Sequence, residues 1–406
     1  LGTQTGALIG AVFAGLALLS LGLVCWQWWA GLRFPLHRRR TGPVKGAGVT
    51  LFKPLKGCDE TTERCLRSWF KQDYPGPVQV LLGVADPADA VCDIVRRLLV
   101  LHPEADAQLV FCGGADGANA KVAQLSRLHP LARHELLVVS DADVRVPPDF
   151  LANVVPLLED PEVGLVSCFY RQANPATLAM QWEALAVNAD FWSQVLQARS
   201  LKALDFALGA VMALRRGPLE EIGGFNALRD CLADDFQLGR RLARRGYRLE
   251  LATVVAECWS GPQTWGEVWK HQVRWARTIR VSRPVPYFFS LLSNGTLWPL
   301  VWAAVQPSLP VLALAACCWT WRIVTALHLQ SLMNASGDPQ GSAPARGRGG
   351  PRPWERLVPG LLLVPVKDLL GAAVWLAAFL GNHIEWGGRS LVIRADGTLE
   401  AERQAG

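Results

Sequence analysis

No charged side chain and no histidine occurs in residues 1–32. Within that stretch, residues 7–29 have about the length that crosses a hydrocarbon layer of roughly 30 Å. Trp26, Trp28 and Trp29 close it, and Arg33, His37, Arg38, Arg39, Arg40 and Lys45 follow. Aromatic rings settle at the membrane interface, and a basic flank stays on the cytoplasmic side. The pattern predicts an N-terminal transmembrane anchor over 1–32 whose C-terminal flank is cytoplasmic. A cleaved signal peptide would carry its basic residues ahead of the apolar run and a small-residue cleavage site behind it. Here the basic residues come after, and no clear A-x-A site follows.

Two further apolar stretches lie near the other end. Residues 284–321 are free of charge, broken only by Ser293-Asn294-Gly295-Thr296 and by Pro299, Pro307 and Pro310. That length suits two crossings joined by a tight turn, or one interfacial segment and one crossing. Residues 357–380 carry Lys367 and Asp368 in their middle, where ionisable groups are expensive unless paired or turned toward protein. Between these stretches, 334–356 is rich in Gly, Pro and Ala with four Arg, which reads as a flexible loop on the cytoplasmic side. The expectation is a C-terminal transmembrane region over 284–384 with two or three helices, then a tail over 385–406. The chain is thus expected to be a multi-pass integral membrane protein.

Composition removes several alternatives. Half of the 406 residues are hydrophobic and 19% are charged, the opposite of a disordered chain. Ten cysteines are scattered with no CxxC pair, so neither a zinc knuckle nor a redox motif is present and reduced thiols are expected. Lys and Arg exceed Asp and Glu by 41 to 35, a surplus too mild to argue for nucleic acid. The high Ala, Arg and Gly content points to a bacterium, hence an inner membrane.

Between the apolar ends, residues 44–283 hold most of the acidic side chains and alternate short apolar runs with amphipathic ones. Strands are expected at 49–52, 78–84, 108–112, 135–140, 164–169, 210–214 and 248–253. Helices are expected at 62–72, 88–101, 119–128, 149–158, 176–197, 235–245 and 265–282. Strand–helix alternation at this spacing predicts an α/β domain, a mainly parallel sheet flanked by helices. No internal repeat is visible. Ligands of such sheets bind beyond the carboxyl ends of the strands, which directs attention to the acidic residues there.

Asp86 follows the apolar run ending at Val84; before Pro87 it suits a turn or helix cap as well as a ligand site. The run ending at Ser140 leads into Asp141-Ala142-Asp143. In extended chain, carboxylates two apart point to one side, and at a strand end they can jointly hold a divalent cation that keeps positions open for phosphate oxygens. A turn accounts for two such Asp equally well. Asp234 and Asp235 precede a helical pattern, where carboxylates cap free amides and suit the dipole; alternatively one of them faces the site as a proton acceptor. His271-Gln272-Val273-Arg274-Trp275 falls in the last amphipathic segment. There Lys270, Arg274 and Arg277 share one helical face, either against an anionic membrane surface or with Arg274 directed at a diphosphate. Gly113-Gly114-Ala115-Asp116-Gly117 has the wrong spacing for a dinucleotide fingerprint.

Taken in order, these residues resemble the ceramide glucosyltransferase family (glycosyltransferase family twenty-one), relatives of the GT-A group. Lys53-Pro54-Leu55-Lys56-Gly57 is similar to its KPLKG, Gly117-Ala118-Asn119-Ala120-Lys121 to its G-x-N-x-K, Asp234-Asp235 to its A-[ED]-D, and 271–275 to its [QR]-x-x-R-W. Two departures stand out: His271 replaces Gln or Arg, and Asp143 completes a DxD of which the animal enzymes keep only the first Asp. Bacterial relatives that glycosylate hopanoids look similar and include an H-x-x-R-W form.

The resemblance implies a GT-A fold with N- and C-terminal transmembrane helices and an active site on the cytoplasmic face. Lys53, Pro54 and Asp86 would bind the uridine end of a UDP-sugar, with Asn119, Lys121, Asp141, Arg274 and Trp275 completing the donor site. Asp141 and Asp143 would hold Mg2+ or Mn2+. Asp235 would take the proton of a lipid hydroxyl, and Asp234, His271 and Arg277 would serve the acceptor or diphosphate. Glucose to ceramide is the first expected reaction; N-acetylhexosamine or hexose to a hopanoid or other lipid alcohol is the second, ahead of a polyprenyl phosphate. A membrane-tethered UDP-sugar sensor is the alternative of another class, since it needs no base.

Overall fold

The computed structural model describes residues 2–114, 116–335, 353–386 and 389–401. The segment 334–356, expected to be a flexible loop, lies for the most part outside the described residues. Two compact units emerge: Leu36–Ala176, Lys202–Gln263 and His383–Gly406 form one, and Leu1–Pro35, Thr177–Leu201 and Thr264–Asn382 the other.

The first unit is built on eight strands: β1 Val49–Leu55, β2 Val78–Val84, β3 Asp106–Phe111, β4 Leu136–Ser140, β5 Val144–Arg145, β6 Val163–Gln172, β7 Val211–Arg215 and β8 Arg248–Cys258. They lie in the order β3-β2-β1-β4-β7-β6-β8-β5. The block β3-β2-β1-β4 is parallel throughout, while β7 runs antiparallel between β4 and β6. β1 and β4 are central and covered on both faces; Leu51, Phe52, Leu137, Val138 and Val139 are wholly buried, as are the polar Thr50 and Lys53 of β1. Strand order reverses between β1 and β4, the position at which open α/β sheets leave a crevice for ligands. Pro54 is tolerated in a central strand because the ladder to β4 ends at Phe52, paired with Val139, so its missing N–H interrupts nothing there.

The sequence pattern located seven of these strands. It missed β5, whose two residues are too few to show a period and are held antiparallel to β8. It also took 385–406 as a tail, whereas β9 His383–Trp386, β10 Arg389–Ile393 and β11 Leu399–Ala401 form a three-stranded antiparallel sheet. Its short strands bury Ile384, Leu391, Ile393 and Leu399, but interspersed charges hide the alternation. All ten cysteines are free thiols, as expected.

The second unit is helical. Among the described residues, Gly6–Arg33, Leu309–Asn334 and Leu361–Ala378 are three helical stretches long and apolar enough to cross a membrane, and the protein is membrane-associated. Helices over 284–293 and 297–305 form a pair bent by 58° at residues 294–296, where the sequence offered a tight turn. The continuous region 44–283 is therefore interrupted: Thr177–Leu201 and the helix Trp265–Ser282 belong to this unit. The reason is apolar packing. Met180, Trp182, Val268, Val273 and Ala276 share a core with Tyr287, Val374 and Ala378. The segment Ala186–Phe191 adopts a π-helical turn within the long helix predicted over 176–197.

Candidate active site at the strand ends

Lys53 lies in β1 and is wholly buried. Its ammonium donates to Ser140 Oγ at 3.1 Å and to the carbonyl of Asp141. Burial lowers its pKa to about 8 against the opposing pull of Asp143 and Asp141. Lys53 thus anchors the end of β4 from beneath. The sequence reading placed it at the uridine; here its ammonium is turned to the end of β4. Asp86 follows β2, is exposed, and accepts from the amide of Ala88 at 2.9 Å, the turn-capping alternative. Neighbouring Asp89 accepts from the amide of Gly57 at 2.8 Å, joining the KPLKG loop to the loop after β2.

Asp141-Ala142-Asp143 form a turn rather than extended chain, closed by the Val144 amide donating to the Asp141 carbonyl at 3.3 Å. The turn is pinned on two more sides: the Asp141 amide donates to Ala210 O at 3.2 Å, and the Trp259 amide to Asp143 O at 3.0 Å. Asp143 is exposed as a residue, with packed protein around its carboxylate. Desolvation by the surrounding protein, then the charge of Asp141, raises its pKa to about 6. Two carboxylates in one turn offer the hard oxygen donors that Mg2+ and Mn2+ prefer, and this pair fits such an ion. Among the described residues no group of three or more His, Cys, Asp or Glu converges here.

Lys121 connects this turn to the second acidic pair. Its ammonium lies 2.6 Å from Asp141 and 3.3 Å from Asp234. Burial works against its charge, but Asp141 and Asp234 together raise its pKa and keep it protonated. Asn119 caps the helix Ala120–Leu128 by accepting from the Val122 amide at 3.1 Å. Its own amide donates to Cys231 O at 2.8 Å. Asn119 is fully buried and fixes the loop ahead of Asp234 through Cys231.

Asp234 and Asp235 open the helix Asp234–Arg244. Asp235 is raised to about 7, by desolvation first and by the charge of Asp234 second. An ordinary carboxylate, near 3.9, is a weak proton acceptor; the fold makes Asp235 a stronger one. The sequence reading overlooked Gly209. A Cβ there would lie 2.7 Å from Asp235 Oδ2, and Gly209 precedes the carbonyl that holds Asp141. One loop thus touches the DxD turn and leaves room for Asp235. The only available signal was a glycine just before a strand, which marks close backbone approach in general.

The structure brings Lys53, Lys121, Asn119, Asp141, Asp143, Asp234 and Asp235 together at the carboxyl ends of β1 and β4. His271, Arg274, Trp275 and Arg277 lie in the other unit, on the helix Trp265–Ser282. That helix begins with a capping box between Thr264 and Glu267. His271 Nδ1 is 2.7 Å from Glu183 Oε1, which also accepts from Gln272 at 2.7 Å. Burial lowers the pKa of Arg274 while Glu183 raises it.

A parallel 3-2-1-4 block within a mixed eight-stranded sheet flanked by helices has the GT-A type fold, and the DxD turn, the lysine bridge and the acid pair sit on it. In solved structures the same fold is found in a mannosyltransferase from Pyrobaculum calidifontis in complex with GDP-Man and Mn2+. It is 24% identical with a TM-score of 0.51, over 89% of this chain and 98% of that one. Residues 12–399 match Glycosyl transferase family 21, and the chain belongs to this family. Among curated relatives, Ceramide glucosyltransferase 3 of Caenorhabditis elegans is 23% identical over 55% of this chain and 49% of its own length. A Beta-monoglucosyldiacylglycerol synthase of Nostoc sp. is 29% identical over 65% of this chain and 56% of its own. The chain therefore spans about half the length of the curated relatives it matches.

Proposed function

We propose that this protein transfers a sugar, glucose first, from a UDP-sugar to the hydroxyl of a membrane lipid with inversion at the anomeric carbon. The lipid is ceramide in this reading. The observation that supports it is the ion-pair link from Asp141 of the DxD turn through Lys121 to Asp234, next to Asp235.

Asp235 takes the hydroxyl proton as the lipid oxygen attacks the anomeric carbon. The sugar–phosphate bond breaks on the opposite face and UDP leaves. A base near pH 7 suits that task better than an ordinary carboxylate. Lys121, kept charged by its two carboxylates, adds a fixed positive charge beside the leaving diphosphate, the kind of preorganised electrostatics that contributes most in group transfer. Asp141 and Asp143 would hold Mg2+ or Mn2+, which when bound offsets negative charge on the diphosphate. Lys53, Asn119 and Gly209 hold these groups in register. The apolar helices support a multi-pass reading, and the basic residues after position 32 support a site on the cytoplasmic face.

The Nostoc relative, with the longer alignment, favours diacylglycerol as a second acceptor. Detergent-purified protein is incubated with separate UDP-sugars and with ceramide, diacylglycerol, hopanoid and polyprenyl-phosphate acceptors, products being read by mass spectrometry. β-Glucosylceramide is the expected product; a diacylglycerol product alone selects the second reading. Asp235→Asn is expected to cut turnover at least about a hundredfold, within the usual contribution of a general base, while UDP binding persists. Wild-type turnover in that variant removes the mechanism, and no product from any donor leaves a UDP-sugar sensor.

A further inference from the structure

Residues 229–232 run directly into Ala233, Asp234 and Asp235, and their backbone is held from two sides. On one side stand residues 117–119: the Asn119 amide donates to Arg229 O at 2.8 Å, the Ala118 amide to Asp230 Oδ1 at 3.1 Å, and the Asn119 side chain to Cys231 O at 2.8 Å. The other side is the turn between β10 and β11, far away in sequence. The Leu399 amide donates to Asp230 O at 2.7 Å, the Leu232 amide donates to Gly397 O at 3.3 Å, and Cys231 forms an antiparallel bridge with Thr398.

The turn is itself preorganised. Asp396 accepts from the amide and hydroxyl of Thr398 at 2.9 and 2.7 Å, and the Gly397 amide donates to Arg394 O at 2.9 Å. Gly397 has φ +85°, the left-handed region that favours glycine, and a Cβ there would lie 3.1 Å from Gln237 Nε2 on the helix that Asp234 opens. The turn therefore lies against both the strand before the acid pair and the first turn of the helix after it.

We propose that the turn Asp396–Leu399 is a positioning element for the acid pair, with the Leu399 N–H as its decisive contact. Without that contact, the shortest bond from the turn to residues 229–232 is lost. Only the 3.3 Å bond from Leu232 to Gly397 and the Cys231–Thr398 bridge remain on that side, and the carboxylates lose their fixed approach to the anomeric carbon. The effect belongs to the transition state: uridine and metal residues sit on other elements. This inference rests on the proposed role of Asp235.

The test compares Leu399→Pro, which deletes the N–H, with Leu399→Ala, which keeps it. Displacing a reacting group by about 1 Å costs up to on the order of a hundredfold. In full-length detergent-solubilised protein, Leu399→Pro is expected to lower kcat at least about tenfold on that scale, with the donor KM within about twofold; Leu399→Ala retains kcat. Hydrogen exchange should show faster exchange over 229–235 in Leu399→Pro, with β4 unchanged. Unchanged kcat, equal losses in both variants, or loss of protection in β4 together with 229–235 overturns the proposal. If the wild type transfers no sugar, the proposed function fails separately. The exchange comparison then decides this inference: unchanged protection over 229–235 overturns it, and selective loss supports it.

Discussion

At the scale of single residues, the acid pair shows how burial sets chemistry. Asp235 ionises at about 7 in place of 3.8. As a base it works only as the carboxylate, so kcat/KM should rise with pH, reach half its plateau near 7, and fall about tenfold by pH 6. A profile flat from pH 5.5 to 8 would remove Asp235 from the rate-limiting proton transfer. The same shift acts on stability with the opposite sign: the folded state prefers protonated Asp235, so ionising it costs stability increasingly as pH rises from 3.8 through about 7. Two glycines separate function from folding. A Cβ at Gly209 would lie 2.7 Å from the Asp235 carboxylate, which can swing aside, whereas one at Gly239 would lie 2.4 Å from the Ala207 backbone nitrogen, which cannot. Gly209→Ala should therefore depress kcat by about tenfold or more, with stability changed by less than about 1 kcal/mol. Gly239→Ala should instead lower stability by about 1–3 kcal/mol. Parallel kcat and thermal-unfolding measurements separate the two.

At the scale of elements, the helical unit solves the problem that Lys367 and Asp368 posed in the sequence. Arg322 donates to Asp368 at 2.9 and 2.8 Å and to both carboxylate oxygens of Asp190 at 2.9 and 2.8 Å. Lys367 pairs with Asp368 at 2.5 Å and also with Asp190. Two cations and two carboxylates cancel. The Asp368 carboxylate also accepts from Thr296 at 2.6 Å, and its carbonyl accepts from Asn294 at 2.8 Å, which explains the polar break in the bent helix pair. Removing one member strands a buried charge: Arg322→Met should cost about 3–5 kcal/mol, and Arg322→Met with Asp368→Leu less, because an apolar pair replaces an ion pair. Thermal unfolding in detergent checks this; additive losses would contradict the pairing. Asp190 was unreadable as a partner in the sequence because it lies more than 130 residues from Arg322, inside a segment patterned like any amphipathic helix.

At the scale of the whole molecule, the legible features were those carried by local chemistry. The run ending at Ser140 marked β4, the paired aspartates marked its end, and the charge-free residues 1–32 marked a span-length helix. Illegible were features set by partners distant in sequence: the burial of Lys53 beneath the DxD turn, the room that Gly209 leaves, and the assignment of Thr177–Leu201 to the helical unit. Asp143 and Asp235 were visible as residues, but their raised pKa values come from neighbours that only the fold assembles.

The interleaving of the two units has a consequence for how the protein is made. Residues 383–401 leave the ribosome after all the described helices, yet Gly397 and Leu399 pair with Leu232 and Asp230. Domains otherwise tend to fold from the N-terminus as they emerge. Here the sheet and the DxD turn can form early, while the loop ahead of Asp234 waits for a stretch of chain synthesised about 165 residues later. A nascent chain that has not yet released residues 396–399 therefore holds an acid-pair loop that lacks its contacts to the late turn.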